Sequence, residues 1–172
     1  MNIYALQIRT GGEELYIKLV HKALPDFTGT LSFIKKEEVR TKEKKTGKFI
    51  KPIFPGYVFL TIEEDRLPVP LRRVLKKTGG FLRFLPDNLK VRPLSGKDFT
   101  IIRKLTSFGP LARISRAHFD ENDHIVILDG PLKGLEGCIS KVDKRKGRVT
   151  IILDLYRDSF PVTLGVEFIS KP

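Results

Sequence analysis

Apolar positions set the rhythm of the chain from its first residues. Ile3 to Arg9 is nearly continuous in apolar side chains and alternates poorly, the pattern of a strand in the middle of a sheet. Thr10-Gly11-Gly12-Glu13 then has the form of a capping box, and Leu15, Tyr16, Leu19, Val20 and Ala23 follow at helical spacing until Pro25. Residues 33 to 51 are dense in Lys, Glu and Thr around Thr46-Gly47, which predicts an exposed hairpin turning there. Gly56 to Ile62 is rich in aromatic and β-branched residues and too short for a helix, so it predicts a buried strand. Pro70 opens a second helix with Leu71, Val74 and Leu75 on one face and Arg72, Arg73, Lys76 and Lys77 on the other, and Gly79-Gly80 stops it. Phe81 to Leu85 reads as a strand, and Ser95-Gly96-Lys97-Asp98 as the start of a helix ending near Ser107.

The second half changes period. His124 to Leu128, Cys138 to Val142, Arg148 to Leu155, Pro161 to Leu164 and Phe168 to Ile169 are short β-rich runs separated by Gly and Pro, and nothing among them reads as a helix. Five short strands in so small a segment predict a closed barrel, because closure protects the sheet edges. The fold class expected is therefore α+β: an amino-terminal α/β sandwich, its largely antiparallel sheet flanked by helices, followed by a small SH3-like β-barrel.

Charge sharpens this division. The 172 residues hold 32 Lys and Arg against 20 Asp and Glu, a formal net charge of +12 with a pI near 9.9, which points to a polyanionic partner and above all to nucleic acid. Residues 1–106 carry almost all of the excess, residues 120–172 are close to neutral, and residues 107–119 hold two arginines and no acid. The expected organisation is a first domain over 1–106, a flexible linker over 107–119 and a second domain over 120–172. Between Arg66 and Thr78 there is no acid at all, so the four cations of the second helix have no helical neighbour to pair with. Lys35 to Lys51 adds a net +5 on one ribbon, and Lys141, Lys144, Arg145, Lys146 and Arg148 crowd one later turn with Asp143 as the sole acid.

Several chemistries drop out. One cysteine, Cys138, makes neither an internal disulfide nor a thiolate zinc site, and His21, His118 and His124 lack ligand spacing, so no metal is expected. No cofactor is expected either: Gly130-Pro131-Leu132-Lys133-Gly134-Leu135-Glu136-Gly137 lacks the Gly-Lys-Ser/Thr of a phosphate loop, and its glycines suit tight turns. No spacing singles out a nucleophile with its base, so an enzyme is not expected. The uncharged run Pro52 to Ile62 is too short to span a bilayer and the first residues lack the order of a signal peptide, which predicts a cytoplasmic protein with no membrane partner. Pro52 to Tyr57 reads by itself as a strand entry with its rings in the core; Phe54, set between two prolines, is less easily buried, and an exposed ring beside a rigid turn would suit a protein partner.

Two motif groups carry a resemblance. Ile3-Tyr4-Ala5-Leu6-Gln7 with Thr10-Gly11, and then Phe54-Pro55-Gly56-Tyr57-Val58, resemble the amino-terminal domain of the NusG transcription elongation factors. Asp123-His124-Ile125-Val126-Ile127, Asp129-Gly130-Pro131 and Gly137 resemble the KOW motif that follows it in that family. The chain departs from the family pattern at Ile3, Asn122 and Cys138, where Trp, Gly and Val are usual. The resemblance implies a transcription elongation regulator, expected as a monomer, that binds the clamp of RNA polymerase through Gln7, Ile53, Phe54 and Tyr57. It implies contact of Arg72, Arg73, Lys76 and Lys77 with the non-template DNA strand. The unusually basic hairpin and helix look like those of specialised paralogues of the LoaP and RfaH kind, in which Lys141, Lys144, Arg145, Lys146 and Arg148 would hold a nascent RNA hairpin. In a general housekeeping member, Tyr156 and Phe160 would instead meet a ribosomal protein or a termination factor. A ribosomal-type KOW protein that binds RNA is a further alternative.

Overall fold

The computed structural model describes residues 1–42, 45–156 and 158–169, and its contacts divide them into two compact units. The first is Met1–Phe33 with Phe54–Arg103; the second is Ile34–Ile53 with Lys104–Pro172. The architecture is α+β, with three α-helices and three sheets among the described residues.

In the first unit β1 (Asn2–Ile8) pairs antiparallel with β5 (Tyr57–Ile62) on one side and β6 (Phe81–Phe84) on the other. A short strand, β2 (Thr30–Ser32), which the residue pattern did not predict, completes the order β2-β5-β1-β6. Tyr4, Leu6 and Ile8 share one sheet face with Val58, Leu60 and Ile62, and Tyr16, Val20, Leu71, Leu75 and Phe84 pack into the same cluster. Ile3, Ala5 and Phe59, on the opposite face, are buried as well. Burial of both faces explains why β1 reads as a continuous apolar run rather than an alternation. Each fully buried side chain of this size contributes about 1.5–3 kcal/mol of transfer free energy.

Helix α1 (Glu13–Ala23) begins two residues later than the capping box requires. Its N-cap is Gly12, no side chain caps it, and Glu13 is the first helical residue. The buried stripe is correspondingly narrower: Tyr16 and Val20 are inside, while Leu15 and Leu19 are 61% and 38% exposed. Helix α2 (Val69–Lys77) buries Leu71 and Leu75, and α3 (Gly96–Thr106) buries Ile101, Ile102 and Leu105.

The second unit begins with the hairpin of β3 (Lys35–Lys42) and β4 (Lys45–Pro52). Its pairing runs out to Lys42 opposite Lys45, so Thr46 and Gly47 lie within β4, opposite Thr41 and Arg40, and do not form the turn. The backbone ladder decides this: two strands of equal length can keep pairing past a Thr-Gly step when the hydrogen bonds beyond it are satisfied. Residues 107–119, expected as an unstructured linker, instead supply β7 (Leu111–Ala112), parallel to β3, and β8 (Ser115–Phe119). Sheet partners far away in sequence satisfy their backbone groups, a signal that local periodicity does not carry.

Strands β8, β9 (Ile125–Asp129), β10 (Ile139–Asp143), β11 (Arg148–Leu155) and β12 (Asp158–Phe168) form a curled sheet in the order β10-β11-β12-β8-β9 that fits a small barrel. Along β11 the residues Val149, Ile151, Leu153 and Leu155 are buried in strict alternation and meet Val162, Leu164 and Val166 of β12 in one core. The two runs predicted after Pro161 are one strand, β12, and the fifth strand is β8. A turn of 3-10 helix over Glu136–Cys138 replaces the predicted strand start at Cys138, because the Cys138 N–H closes onto the Leu135 carbonyl at 2.8 Å.

Candidate nucleic-acid and partner surfaces

The turn before β5 is built by backbone bonds. The Tyr57 N–H donates to the Phe54 carbonyl at 3.1 Å, with Pro55 and Gly56 between them and Gly56 at φ 81°, the conformation of a type II turn. A Cβ on Gly56 would lie 2.8 Å from Thr10 Oγ1, so glycine is required twice over. The Gly56 carbonyl accepts the Ile8 N–H at 2.7 Å, and the Gly56 N–H donates to Glu13 Oε1 at 2.6 Å. Glu13 is only 3% exposed, and its position in the first turn of α1 sets its charge against the positive end of the helix. The sequence pattern assigned Glu13 to capping; its actual partner lies 43 residues away.

Phe54 is 3% exposed and packs edge-to-face on Phe59, with centroids 5.3 Å apart. The ring lies in the core, as a strand entry predicts, and not on the surface where the resemblance would use it as an anchor, since the turn folds it inward against the sheet. Gln7 and Tyr57 are directly opposite on β1 and β5, and Arg83 lies opposite Gln7 on β6, its Nε donating to Gln7 Oε1 at 2.7 Å. Gln7, Tyr57 and Arg83 thus form one cross-strand row. Ile53 belongs to the second unit, where its N–H donates to the Ile34 carbonyl at 2.9 Å.

On α2 three of the four cations face solvent. Arg73, Lys76 and Lys77 are exposed, and no ion pair with a described residue involves them. Arg72 is half-buried and donates through Nη2 to the Asn88 carbonyl. The opposite face of α2 is fixed by the Tyr16 hydroxyl, which donates to the Leu75 carbonyl at 2.9 Å; burial pushes the Tyr16 phenol well above its ordinary value.

In the second unit the β10–β11 turn presents Lys141, Lys144, Arg145 and Lys146 to solvent, with Arg148 half-buried at the head of β11. Asp143 accepts the Lys146 N–H at 2.9 Å through Oδ1, and the Gly147 carbonyl accepts the Val166 N–H at 2.8 Å. Lys144 is already engaged: its Nζ lies 2.8 Å from Asp123 Oδ1 and 3.6 Å from the centre of the Phe119 ring, which stacks on Phe168. A groove of about 790 Å³ runs beside this turn, lined by Arg113, Arg145, Lys146 and Arg148 and also by Glu37, Glu38 and Glu167. Nearby, Arg116 and Asp129 form an exposed pair that holds the Asp129 carboxyl below its ordinary value. At the other end of the unit, Tyr156 has φ 63°, unusual for a bulky residue, and its N–H donates to the Asp154 carbonyl at 2.8 Å; Phe160 lies across from Leu153. Among the described residues no three or more His, Cys, Asp or Glu side chains gather as metal ligands, and no helix is long and apolar enough to cross a membrane.

Residues 1–103, more than half of the chain, match the family described as transcription termination factor NusG. The chain belongs to the NusG family. The transcription termination/antitermination protein NusG of Buchnera aphidicola (subspecies Acyrthosiphon pisum) is 26% identical over 174 residues, covering 98% of this chain and 94% of its own length. That of Haemophilus influenzae is 26% identical over 176 residues, covering 98% and 92%. That of Escherichia coli K12 is 24% identical over 149 residues, covering 86% and 81%. A solved structure on domain interaction in Thermotoga maritima NusG aligns with a TM-score of 0.52 at 15% identity, over 95% of this chain and 93% of that one, a likeness of fold. Membership in the NusG family places the chain among transcription termination/antitermination factors and thus in transcription regulation.

Proposed function

We propose that this NusG-family chain is a cytoplasmic, monomeric elongation regulator that binds RNA polymerase and promotes processive elongation and antitermination, specialised to particular operons through nucleic-acid recognition. The observation that carries the reading is the solvent face of α2, where Arg73, Lys76 and Lys77 stand exposed without a described ionic partner. Unpaired cations on a rigid helix suit the phosphates of the non-template strand, and such contacts add affinity without reading sequence. The row of Gln7, Tyr57 and Arg83, on the rigid sheet beside the Glu13-pinned turn, supports a protein contact there, to the polymerase clamp. Phe54 serves that contact by propping the turn from beneath. In the second unit Lys141, Arg145, Lys146 and Arg148 are the cations that would meet a nascent RNA hairpin through its phosphates and shape.

Transcription in vitro with purified polymerase on a template carrying a terminator tests this function. Added protein should raise read-through, and the variant Arg73→Glu with Lys76→Glu should return it towards the level without protein; unchanged termination on adding the wild type overturns the reading. The left-handed backbone of Tyr156 favours a second reading of the barrel, as the docking point for a ribosomal protein or a termination factor, because a strained bulky residue at a turn is often kept for contact. Binding of the full chain to leader RNA hairpins, compared with a scrambled hairpin and with those proteins, separates the two.

A further inference from the structure

The loop between β6 and α3 presents Leu89, which is 90% exposed, more than any other large apolar side chain among the described residues. A single leucine on a surface is ordinary. Its presentation is not, because the two residues before it, Asp87 and Asn88, hold the loop in place. Asp87 Oδ1 accepts the N–H groups of both Leu89 and Lys90 at 2.7 Å, and Asn88 Oδ1 accepts the Phe84 N–H at 3.0 Å. The Asn88 carbonyl is held by Arg72 of α2. The loop is thereby bolted to the sheet at one point and to the basic helix at another.

The surroundings of Leu89 are basic. Lys90 and Arg92 are exposed on the same loop. Asp87, its one acid, has a carboxyl held below its ordinary value, chiefly by the Lys90 N–H and then by the Leu89 N–H, so that its charge is directed at its own backbone. An apolar tip flanked along its loop by Lys90 and Arg92 and tied to a cationic helix matches a ligand with apolar faces and a negatively charged backbone.

We infer that loop 87–92 extends the nucleic-acid face of α2, and that Leu89 packs on the base faces of single-stranded DNA whose phosphates lie along the cations of α2. The inference rests on the DNA reading of α2 and adds to it a contact with bases. Aliphatic side chains wedge between bases, and in a duplex such a wedge must first unstack a step. In a single strand the faces are open at little cost, which selects the unpaired strand over the duplex. The bond from Arg72 to Asn88 fixes the spacing between the phosphate-binding cations and the apolar tip.

Fluorescence anisotropy of the full chain with a labelled single-stranded DNA of about 12 nucleotides, and with the corresponding duplex, tests the proposal. Leu89→Ala removes an exposed, uncharged side chain and leaves the fold intact. It should weaken single-strand binding roughly fivefold with an unchanged salt dependence and an unchanged affinity for duplex. Lys90→Ala should instead flatten the log–log salt slope by about 0.7. If Leu89→Ala binds the single strand as the wild type does while Arg73→Glu with Lys76→Glu binds weakly, the inference is wrong and the α2 reading stands. If the wild type binds no single strand, both fall together. A Leu89→Ala defect seen with purified polymerase but not with DNA assigns the tip to a protein contact and also overturns the inference.

Discussion

On α2 three cations stand exposed without a described ionic partner, whereas at the β10–β11 turn Lys144 is divided between Asp123 and the Phe119 ring, and Glu37, Glu38 and Glu167 line the adjoining groove. In sequence the two runs look alike: four cations without an acid, and five with one. Free positive potential depends on which acids the fold brings near, and among the described residues those come from distant segments in the second unit. A parallel contrast lies inside each unit. The described residues include two buried polar side chains, Glu13 in the first unit and Ser115 in the second, and each accepts a backbone N–H from a loop, Glu13 from Gly56 at 2.6 Å and Ser115 from Leu132 at 3.2 Å. One pin is a short bond to a carboxylate and the other a long bond to a hydroxyl.

The largest effect expected is at the stronger pin. Glu13→Ala leaves the Gly56 N–H buried without a partner and should lower stability by about 2–3 kcal/mol, measured by urea unfolding. Glu13→Gln keeps an acceptor and should lose less than half as much; an equal loss would show that packing, not the hydrogen bond, matters.

Next comes the α2 face. Charge reversal at Arg73 and Lys76 removes about two phosphate contacts, so the loss of single-strand affinity between 50 and 200 mM salt should shrink by roughly sevenfold. The same reversal at Arg145 and Lys146 should leave DNA binding unchanged. If both pairs of reversals act alike on DNA, the contrast between the two surfaces is broken.

A smaller effect tests the weaker pin, where Ser115→Ala should cost about 1 kcal/mol in the same unfolding assay. Gly130 crowds Ser115, its hypothetical Cβ falling 2.6 Å from the hydroxyl oxygen, so Gly130→Ala should be the more damaging change in that loop. Asp123→Asn, which releases Lys144, should change stability by less than about 0.5 kcal/mol and steepen the salt slope for RNA by about 0.7.

The smallest effect concerns acid. Asp120 is held below its ordinary value chiefly by the His124 N–H, and Asp129 chiefly by the hydrogen bond from Arg116. Depressed carboxyls stabilise the fold above their unfolded values, and that contribution is lost as pH falls through their folded ones. The second unit should therefore lose some stability at pH values below the ordinary carboxylate range, and the loss should shrink in Asp129→Asn, as a thermal melt across acidic pH would show.

Much of this fold is legible in the chain because the relevant physics is local. The apolar run of β1, the helical spacing of Tyr16 and Val20, the short β-branched block of β5 and the strict alternation of β11 each specify an element whatever lies around it. The acid-free solvent face of α2 is local too, since helical neighbours decide whether its cations pair within the helix. Tertiary structure decided what depends on distant partners. Strand β8 exists because β12 and β9 satisfy its backbone, and β7 because β3 does. Glu13 became a pin rather than a cap because Gly56 offered a buried N–H, and Phe54 turned inward because Phe59 offered an aromatic edge. Nothing in the residue pattern singles out Leu89; only Asp87, Asn88 and Arg72 acting together make it a presented tip. Short-range order follows periodicity and breakers, whereas burial, pairing and the freedom of a charge are set by whichever groups the folded chain places within a few ångströms.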